Sequence, residues 1–215
     1  MTTTLSLAET IIERLEMGEA EVRVGASVDE YCELLDELEE LPYVITYADY
    51  EIVAKMGEAT ERHELLCGNI IGIFYMNYLG KPSYRVYGSN CAVYSIDDER
   101  GYDPDALVVK GLPQLYDRPK RVKPILNPYI VVEVLSDSNK GKDFKNKINF
   151  YKKISTVQHI VLIDQHEAMI ETFDRSDDPA TWLNRVFTNE NDILKIATFD
   201  VPLRSVYQNV LYFNY

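Results

Sequence analysis

The sequence predicts an α/β domain, with α+β as the alternative, built on a central mixed β-sheet flanked by helices. Amphipathic helical patterns dominate the first 80 residues. Short segments rich in β-branched and aromatic residues follow from residue 84 onward, and one further helix interrupts them. This order of elements is typical of helices packed on a mixed sheet. With 215 residues, 46% of them hydrophobic, the chain is long enough for one substantial core.

Three helices are predicted before the strands begin. Residues 5–17 place apolar side chains at near-helical spacing. A second, very acidic helix begins after Ser27, because Ser27 and Glu30 have the spacing of a capping box, and Pro42 ends it. Residues 61–79 carry the longest apolar stripe and predict a largely buried helix. Between the second and third helices, residues 43–53 are expected to be extended.

Most of the remaining chain is predicted to form strands. A helix over residues 143–153 interrupts them, and residues 203–206 are expected to form a last short helical turn. The sequence contains no Gly/Ser linker or internal repeat, so we expect one domain over residues 27–215, with residues 1–26 as an N-terminal helical appendage. The six predicted strands are residues 84–87, 91–94, 106–109, 129–135, 159–163 and 169–173.

Charge is distributed unevenly along the chain. The net charge is −13, and residues 1–66, with 17 acidic and 4 basic residues, account for all of it. Residues 139–153 instead carry six lysines and one aspartate. Contacts to nucleic-acid phosphates need Lys and Arg, so the overall charge argues against nucleic-acid binding. The basic segment is where we expect an anionic substrate to be bound.

Several classes of protein are excluded by what the sequence lacks. The three cysteines have no CxxC spacing, so we expect a reduced, cytoplasmic location and no zinc site. No apolar stretch approaches the ~20 residues that span a bilayer, and no secretory signal is expected. The GxGxxG, P-loop, GxSxG and HExxH motifs are also missing. The remaining candidates for chemistry are carboxylates.

Glu133 is a carboxylate inside an otherwise apolar strand, in the segment YIVVEVL of residues 129–135. Burying an unpaired carboxylate is costly, so Glu133 must be paired with a cation, protonated, or placed at the open end of the sheet. Two interpretations are equally favoured at this point. One is a structural ion pair with a lysine, and the other is a metal-binding or catalytic carboxylate.

A second acid and the basic helix offer partners for Glu133. Asp105 immediately precedes a predicted strand. On the basic helix, Asp143, Lys147 and Tyr151 are spaced four residues apart and therefore project from one face. Lys147 borders the apolar stripe of that helix and is expected to point toward the sheet, whereas the other lysines are expected to face water.

The two carboxylates are expected at strand ends, with one lysine near the second. Two carboxylates suit a hard divalent cation such as Mg²⁺ or Mn²⁺, which prefers oxygen ligands. Such an ion lowers the pKa of a bound water and neutralises charge on a phosphoryl oxygen. A nearby lysine can hold the attacking water or stabilise developing negative charge. This combination is the chemistry of phosphodiester hydrolysis.

Asp105, the segment EVLS at residues 133–136, Asp143 and the Lys147-x-x-x-Tyr151 spacing resemble the Uma2 family (DUF820) of restriction-endonuclease-like proteins, within the PD-(D/E)xK nuclease superfamily. The resemblance covers roughly residues 27–208. Neighbouring features that agree with the family are Asn127-Pro128, Asp164 and His63.

The resemblance implies a restriction-endonuclease-like fold and a Mg²⁺- or Mn²⁺-dependent DNA endonuclease. Asp105 and Glu133 would be the metal ligands. The lysine that usually follows the second acid is replaced by Leu135, and in this family its role passes to the next helix, here to Lys147. Asp105, Glu133 and Lys147 would then be the catalytic residues.

Accessory residues and partners also follow from the resemblance. His63, Asp143 and Tyr151 would be accessory, with Tyr151 orienting Lys147 or a phosphate. Taken alone, His63 is more simply explained as a hydrogen-bonded core histidine. The DNA backbone would lie near the segment from Lys140 to Lys153, and a homodimer would suit an enzyme that acts on two strands.

A non-catalytic binding or assembly protein that retains the fold is the main alternative. The net charge of −13 favours it, and so does Asn90, which stands where the family commonly has an aspartate. In this alternative Glu133 and Lys147 form a buried ion pair, which is strongly destabilising to break from one side. A glycosidase with paired carboxylates is a third hypothesis, for which the sequence shows no aromatic sugar platform near either acid.

Overall fold

The computed structural model describes residues 5–38, 41, 43–57, 60–117, 122–135 and 142–210, without the side chains of residues 142 and 143. Its elements, in chain order, are α1 (Leu7–Glu16), β1 (Val22–Gly25), α2 (Val28–Glu37), β2 (Tyr43–Ala48), β3 (Glu51–Met56), α3 (Glu61–Tyr78), β4 (Tyr84–Tyr87), β5 (Val93–Ser95), β6 (Arg100–Tyr102), β7 (Ala106–Lys110), β8 (Ile130–Leu135), α4 (Lys142–Lys153), β9 (His159–Asp164), β10 (Ile170–Arg175), β11 (Trp182–Phe187), β12 (Ile193–Ile196), β13 (Phe199–Pro202) and α5 (Leu203–Val206).

The chain forms two compact units, each made of several chain segments. The first comprises Met1–Glu58, Ala92–Asp103 and Leu115–Leu126, and the second comprises Ala59–Cys91, Pro104–Gln114 and Asn127–Tyr215. Helix α1 and strand β1 lie in the same unit as α2, and β1 pairs with β3. The domain boundary between residues 26 and 27 stays a prediction.

The first unit packs α1 and α2 with a five-stranded sheet in the order β1-β3-β2-β6-β5. Both helices begin with complete capping boxes, in which Ser6 pairs with Glu9 and Ser27 pairs with Glu30, as the sequence predicts for the second helix. The predicted extended segment is the hairpin β2-β3. Its two-residue turn, Asp49 and Tyr50, has positive φ at both positions, which matches the right-handed twist of the strands.

Gly101 on β6 allows the close approach of a buried ring. A Cβ atom at this position would lie 2.7–2.9 Å from the ring and hydroxyl of Tyr31. Tyr31 is fully buried and stacks on Tyr47 with 5.2 Å between ring centroids, so the ring has no room to withdraw.

We expect Gly101→Ala to lower the free energy of unfolding by about 1–3 kcal/mol, because the added methyl overpacks this contact. Urea unfolding of the variant and the wild type measures the difference. The control is Gly72→Ala, at an exposed position of α3 with open space around it, which should be neutral or slightly stabilising. Equal stability of Gly101→Ala and wild type would contradict the overpacking argument.

The second unit is built on a six-stranded mixed sheet in the order β11-β10-β9-β8-β7-β4. Strands β8 and β9 are parallel, and the other neighbouring pairs are antiparallel. Helix α3 covers one face of the sheet, where Leu66, Ile70 and Phe74 share a core with Val132 and Val134 of β8. Glu133 alternates with these valines and therefore projects from the opposite face, toward α4. The predicted α/β class with a mixed sheet and flanking helices is confirmed.

The predicted elements agree with the observed ones within a few residues, and β4 and α5 agree at both ends. The sequence analysis missed β1, β6 and the strands after residue 180. Strand β11 is an edge strand with four consecutive exposed residues, so it has no apolar alternation that would predict it. None of the helices in the described residues is both long enough and apolar enough to cross a membrane.

Candidate metal and catalytic site

The second unit places Asp105 beside Glu133. Asp105 lies one residue before β7, and its N–H donates to the carbonyl of Val132 at 3.1 Å. Its carboxylate Oδ2 accepts a hydrogen bond of 2.7 Å from the N–H of Val134. Asp105 thus contacts the residues on both sides of Glu133. In the register of β7 and β8, Ala106 lies opposite Val132. Extending this register by one residue places Asp105 opposite Glu133.

Glu133 is 1% exposed, and α4 supplies a partner for each of its oxygens. The Lys147 Nζ lies 2.7 Å from Oε2, and the Tyr151 hydroxyl donates to Oε1 at 2.8 Å. Lys147 and Tyr151 are four residues apart on the helix, so both reach the same carboxylate. The sequence-based expectation that Lys147 points toward the sheet agrees with this geometry.

The C-terminal end of α4 is held by Arg175 of β10. Its guanidinium donates to the carbonyls of Lys152, Ile154 and Val157 at 2.7–2.9 Å and lies 4.3 Å from the ring centre of Trp182. Carbonyls at a helix C-terminus lack intrahelical partners, so a cation there both satisfies them and opposes the helix dipole. This contact fixes the helix that carries Lys147 and Tyr151. The sequence analysis missed Arg175, because its partners are backbone atoms distant in the chain.

His63 links Asp105 to helix α3. Its Nε2 lies 3.2 Å from Asp105 Oδ1, and its Nδ1 lies 3.6 Å from the Sγ of Cys67, one turn along the helix. Thr60 caps the helix by accepting from the N–H of His63, and its hydroxyl donates to the buried Gln165 at 2.6 Å. The hydrogen bond to Asp105 raises the pKa of His63 well above its usual range, so the imidazole is positively charged.

The environment of Glu133 raises the pKa of its carboxyl group toward neutral pH. Burial is the largest effect and raises the pKa of Glu133 to about 7, and the negative charge of Asp105 raises it further. Lys147 and Tyr151 oppose this shift by stabilising the ionised form. A carboxylate that titrates near neutral pH beside a second carboxylate is typical of a functional site.

The raised pKa of Glu133 predicts that the free energy of unfolding falls as pH rises. Between about pH 4.5 and 7 the folded chain holds a proton on Glu133 that the unfolded chain has lost, so this group's contribution declines as pH rises through the window. Denaturant unfolding from pH 4.5 to 8 should show a steeper decline for wild type than for Glu133→Gln, by on the order of 2–3 kcal/mol across the window. Parallel pH profiles of the two proteins would contradict the prediction.

The donor set of Asp105 and Glu133 fits a hard divalent cation. Both side chains offer carboxylate oxygens, which Mg²⁺ and Mn²⁺ prefer. The repulsion between them, seen in the effect of Asp105 on the pKa of Glu133, is the kind of strain that a bound cation would relieve. A different set of donor atoms, from His63, Cys67 and Asp105, lies within 4.8 Å of one another. Cys67 could not be recognised as a donor from cysteine spacing, because it has no CxxC partner.

The other predicted site residues are placed as follows. The structure does not describe the side chain of Asp143 or any part of Lys140, so the expectations for them lie outside the described residues. Lys153 is exposed, as expected. Lys152 was expected to face water, and this is wrong: it is half-buried, with its Nζ 3.7 Å from the ring centre of Phe173. Its aliphatic stem covers apolar surface and its amine gains a cation–π contact.

Comparisons with known proteins agree with this fold. The structure of a protein from Anabaena variabilis, titled "a putative nuclease belonging to DUF820", matches with a TM-score of 0.62 over 80% of this chain and 96% of that chain. At 15% identity this likeness concerns the fold alone. An uncharacterised protein of Synechocystis sp., sll1609, is 28% identical over 164 residues, which cover 69% of this chain and 90% of that protein. The model of the Uma2 family, described as "Putative restriction endonuclease", matches residues 28–203. The chain therefore belongs to the Uma2 family.

Proposed function

We propose that this protein is a DNA endonuclease that hydrolyses phosphodiester bonds with the help of Mg²⁺ or Mn²⁺. The observation that supports it most is the meeting of two carboxylates and one lysine at the adjacent ends of β7 and β8: Asp105, Glu133 and Lys147. Membership of a family described as restriction endonucleases supports the same reaction class.

Each side chain has a role in this proposal. Asp105 and Glu133 hold the cation, which supplies a water of lowered pKa and charge neutralisation at the phosphate. Lys147, already 2.7 Å from Glu133, orients the attacking water and stabilises negative charge that develops on the phosphoryl oxygens. Tyr151 holds Glu133 from its other oxygen, and His63 holds Asp105 in the same way. These two contacts keep both carboxylates in place before substrate arrives.

The substrate and assembly are part of the proposal. The segment from Lys140 to Lys153 carries six lysines and one aspartate in a chain of net charge −13, and phosphates are attracted to such a segment. We place the DNA backbone along it, with Lys147 innermost. A homodimer would present one such site to each strand of a duplex. We also propose a cytoplasmic location, because three free cysteines without CxxC spacing suit a reducing compartment.

The experiment is cleavage of supercoiled plasmid by the full chain. We expect nicked or linear product with Mg²⁺ or Mn²⁺ and none after chelation with EDTA, because the carboxylates alone cannot activate water. Asp105→Asn should reduce cleavage by at least about 100-fold, the usual loss when one preorganised electrostatic group is removed. The matched control is Asp177→Asn at an exposed position, which should cleave like wild type. Cleavage that persists in EDTA or in Asp105→Asn would exclude this site.

A non-catalytic binding protein is the second candidate, and one observation favours it. Both oxygens of Glu133 already have partners, Lys147 and Tyr151, so the carboxylate is satisfied as a structural element. In this case Lys147 would serve the fold and not a reaction. Substitutions of Glu133 and Lys147 separate the two candidates by their effects on cleavage and on stability.

A further inference from the structure

A group of mixed donor atoms lies at the first turns of α3, on the far side of His63 from Asp105. The Cys67 Sγ is 3.6 Å from His63 Nδ1, and the Glu64 Oε1 is 3.5 Å from the same nitrogen. A sulfur and a carboxylate oxygen therefore both lie close to one nitrogen of the imidazole. Neither role proposed above for His63 or Asp105 uses Cys67.

The distance between His63 Nδ1 and Cys67 Sγ matches the distance between two donor atoms on a tetrahedral metal ion. With Zn–N near 2.0–2.1 Å and Zn–S near 2.3 Å, a tetrahedral angle separates the two donor atoms by about 3.6 Å. The observed separation of Nδ1 and Sγ is 3.6 Å. His63 and Cys67 are four residues apart on a helix, so the backbone itself holds this spacing.

The other ring nitrogen is already oriented as in a metal-bound histidine. Nε2 of His63 lies 3.2 Å from Asp105 Oδ1, and histidines that bind metals usually donate their second N–H to a carboxylate. Solvent reaches the donor atoms on the side of Glu64, away from Asp105. The Glu64 side chain is 68% exposed, whereas Cys67 is 8% exposed. The cysteine is thus shielded and the carboxylate is open to solvent, so an ion could enter past Glu64.

We propose that His63 Nδ1 and Cys67 Sγ bind one thiophilic divalent cation of the zinc class, that the exposed Glu64 side chain turns to supply a carboxylate oxygen, and that water is the remaining ligand, with Asp105 orienting the imidazole. Thiolate and imidazole select such an ion over Mg²⁺. On binding, the Cys67 thiol and His63 Nδ1 each release a proton to solvent, and the ion takes their place. This site shares His63 and Asp105 with the proposed nuclease site, but it uses neither Glu133 nor Lys147 and does not depend on DNA cleavage.

Co²⁺ is the probe, because it can occupy zinc sites and its absorption spectrum depends on the ligands that bind it. Full-length protein, freed of metal by chelation and kept reduced, is titrated with Co²⁺ at pH 8 in the absence of DNA. We expect a near-ultraviolet thiolate-to-cobalt band that saturates at one ion per chain, is removed by one equivalent of Zn²⁺, and survives excess Mg²⁺. Asp105→Asn should weaken Co²⁺ binding by about 10–100-fold while the thiolate band remains at saturation.

Cysteine variants identify the ligand. Cys67→Ser should lose the thiolate band, whereas Cys91→Ser, the partly exposed control, should keep it; circular dichroism establishes that both variants fold. His63→Gln should also lose tight binding. A band that survives Cys67→Ser, or Co²⁺ binding with oxygen ligands alone, would overturn the inference. The second result would place the ion on Asp105 and Glu133, so it would support the metal site of the proposed nuclease. Absence of plasmid cleavage would count against the nuclease and leave the cobalt result unchanged.

Discussion

Glu133→Gln is expected to reduce metal-dependent plasmid cleavage by at least about 100-fold while leaving the protein folded. Glutamine keeps the shape of the side chain. Its amide oxygen can still accept a hydrogen bond from Lys147 and its NH₂ group can donate to the Tyr151 hydroxyl, but it carries no charge to hold a divalent cation. The stability of the variant at pH 8 should equal or exceed that of wild type, because an ionised carboxylate that is 1% exposed is replaced by a neutral amide. Plasmid cleavage measures the first effect, and thermal unfolding measures the stability. Mg²⁺ is expected to raise the unfolding temperature of wild type but not that of Glu133→Gln.

The control for this variant is Glu167→Gln, which changes an exposed glutamate in the same unit and should behave like wild type. The non-catalytic alternative gives the opposite result. In that case wild type shows neither cleavage nor a response to Mg²⁺, and Glu133→Gln loses stability because a structural ion pair is broken. Undiminished cleavage by Glu133→Gln would remove this residue from the mechanism.

Lys147→Met is expected to lower the free energy of unfolding at pH 8 by about 3–5 kcal/mol, the usual cost of leaving a buried charge without its partner. The two ends of the pair are not equivalent. The side chain of Lys147 is 15% exposed, so without Glu133 its amine can still reach water, whereas Glu133 is enclosed and cannot. The loss should be smaller near pH 5.5, because Glu133 then takes up a proton and is no longer charged.

The double variant Glu133→Gln/Lys147→Met should regain most of this stability, since no buried charge remains. Lys145→Met, at an exposed position of the same helix, is the control and should change stability by less than about 0.5 kcal/mol. Urea unfolding at both pH values measures all four proteins. A loss in Lys147→Met that does not change with pH, or that persists in the double variant, would show that Glu133 is not the source of the instability.

The candidate site illustrates how far sequence patterns reach. A single acid among seven otherwise apolar or aromatic residues is costly to bury, so Glu133 could be selected from the sequence. The helical spacing of Lys147 and Tyr151 predicted that both side chains project from the same face. Asp105 was a weaker signal, because an acid before a strand is most often part of a turn. Its role as a hydrogen-bond acceptor for Val134 depends on the register of two strands 20 residues apart in the chain. Hydrophobic alternation specifies the face of a strand but not which residue stands opposite which.

The contacts that support the site were beyond sequence analysis for a similar reason. Arg175 binds backbone carbonyls at the end of α4, and Gln165 binds the cap of α3. Carbonyls and hydroxyls occur throughout the chain, so partners of this kind leave no trace in residue spacing. The link between His63 and Cys67 was recoverable in principle, because their spacing of four residues is a helical neighbour pair.

By itself, the sequence determined the class of fold, the position of nearly every helix and central strand, and the choice of two acids and one lysine as candidates for chemistry. Those properties follow from local periodicity and from the cost of burying charge, and both are written in the order of residues. The tertiary structure alone decided that Asp105 meets Glu133, that Lys147 and Tyr151 each take one oxygen of that carboxylate, and that His63 joins Asp105 to a cysteine. Strand register and helix packing set these distances, and they result from the fit of the whole core.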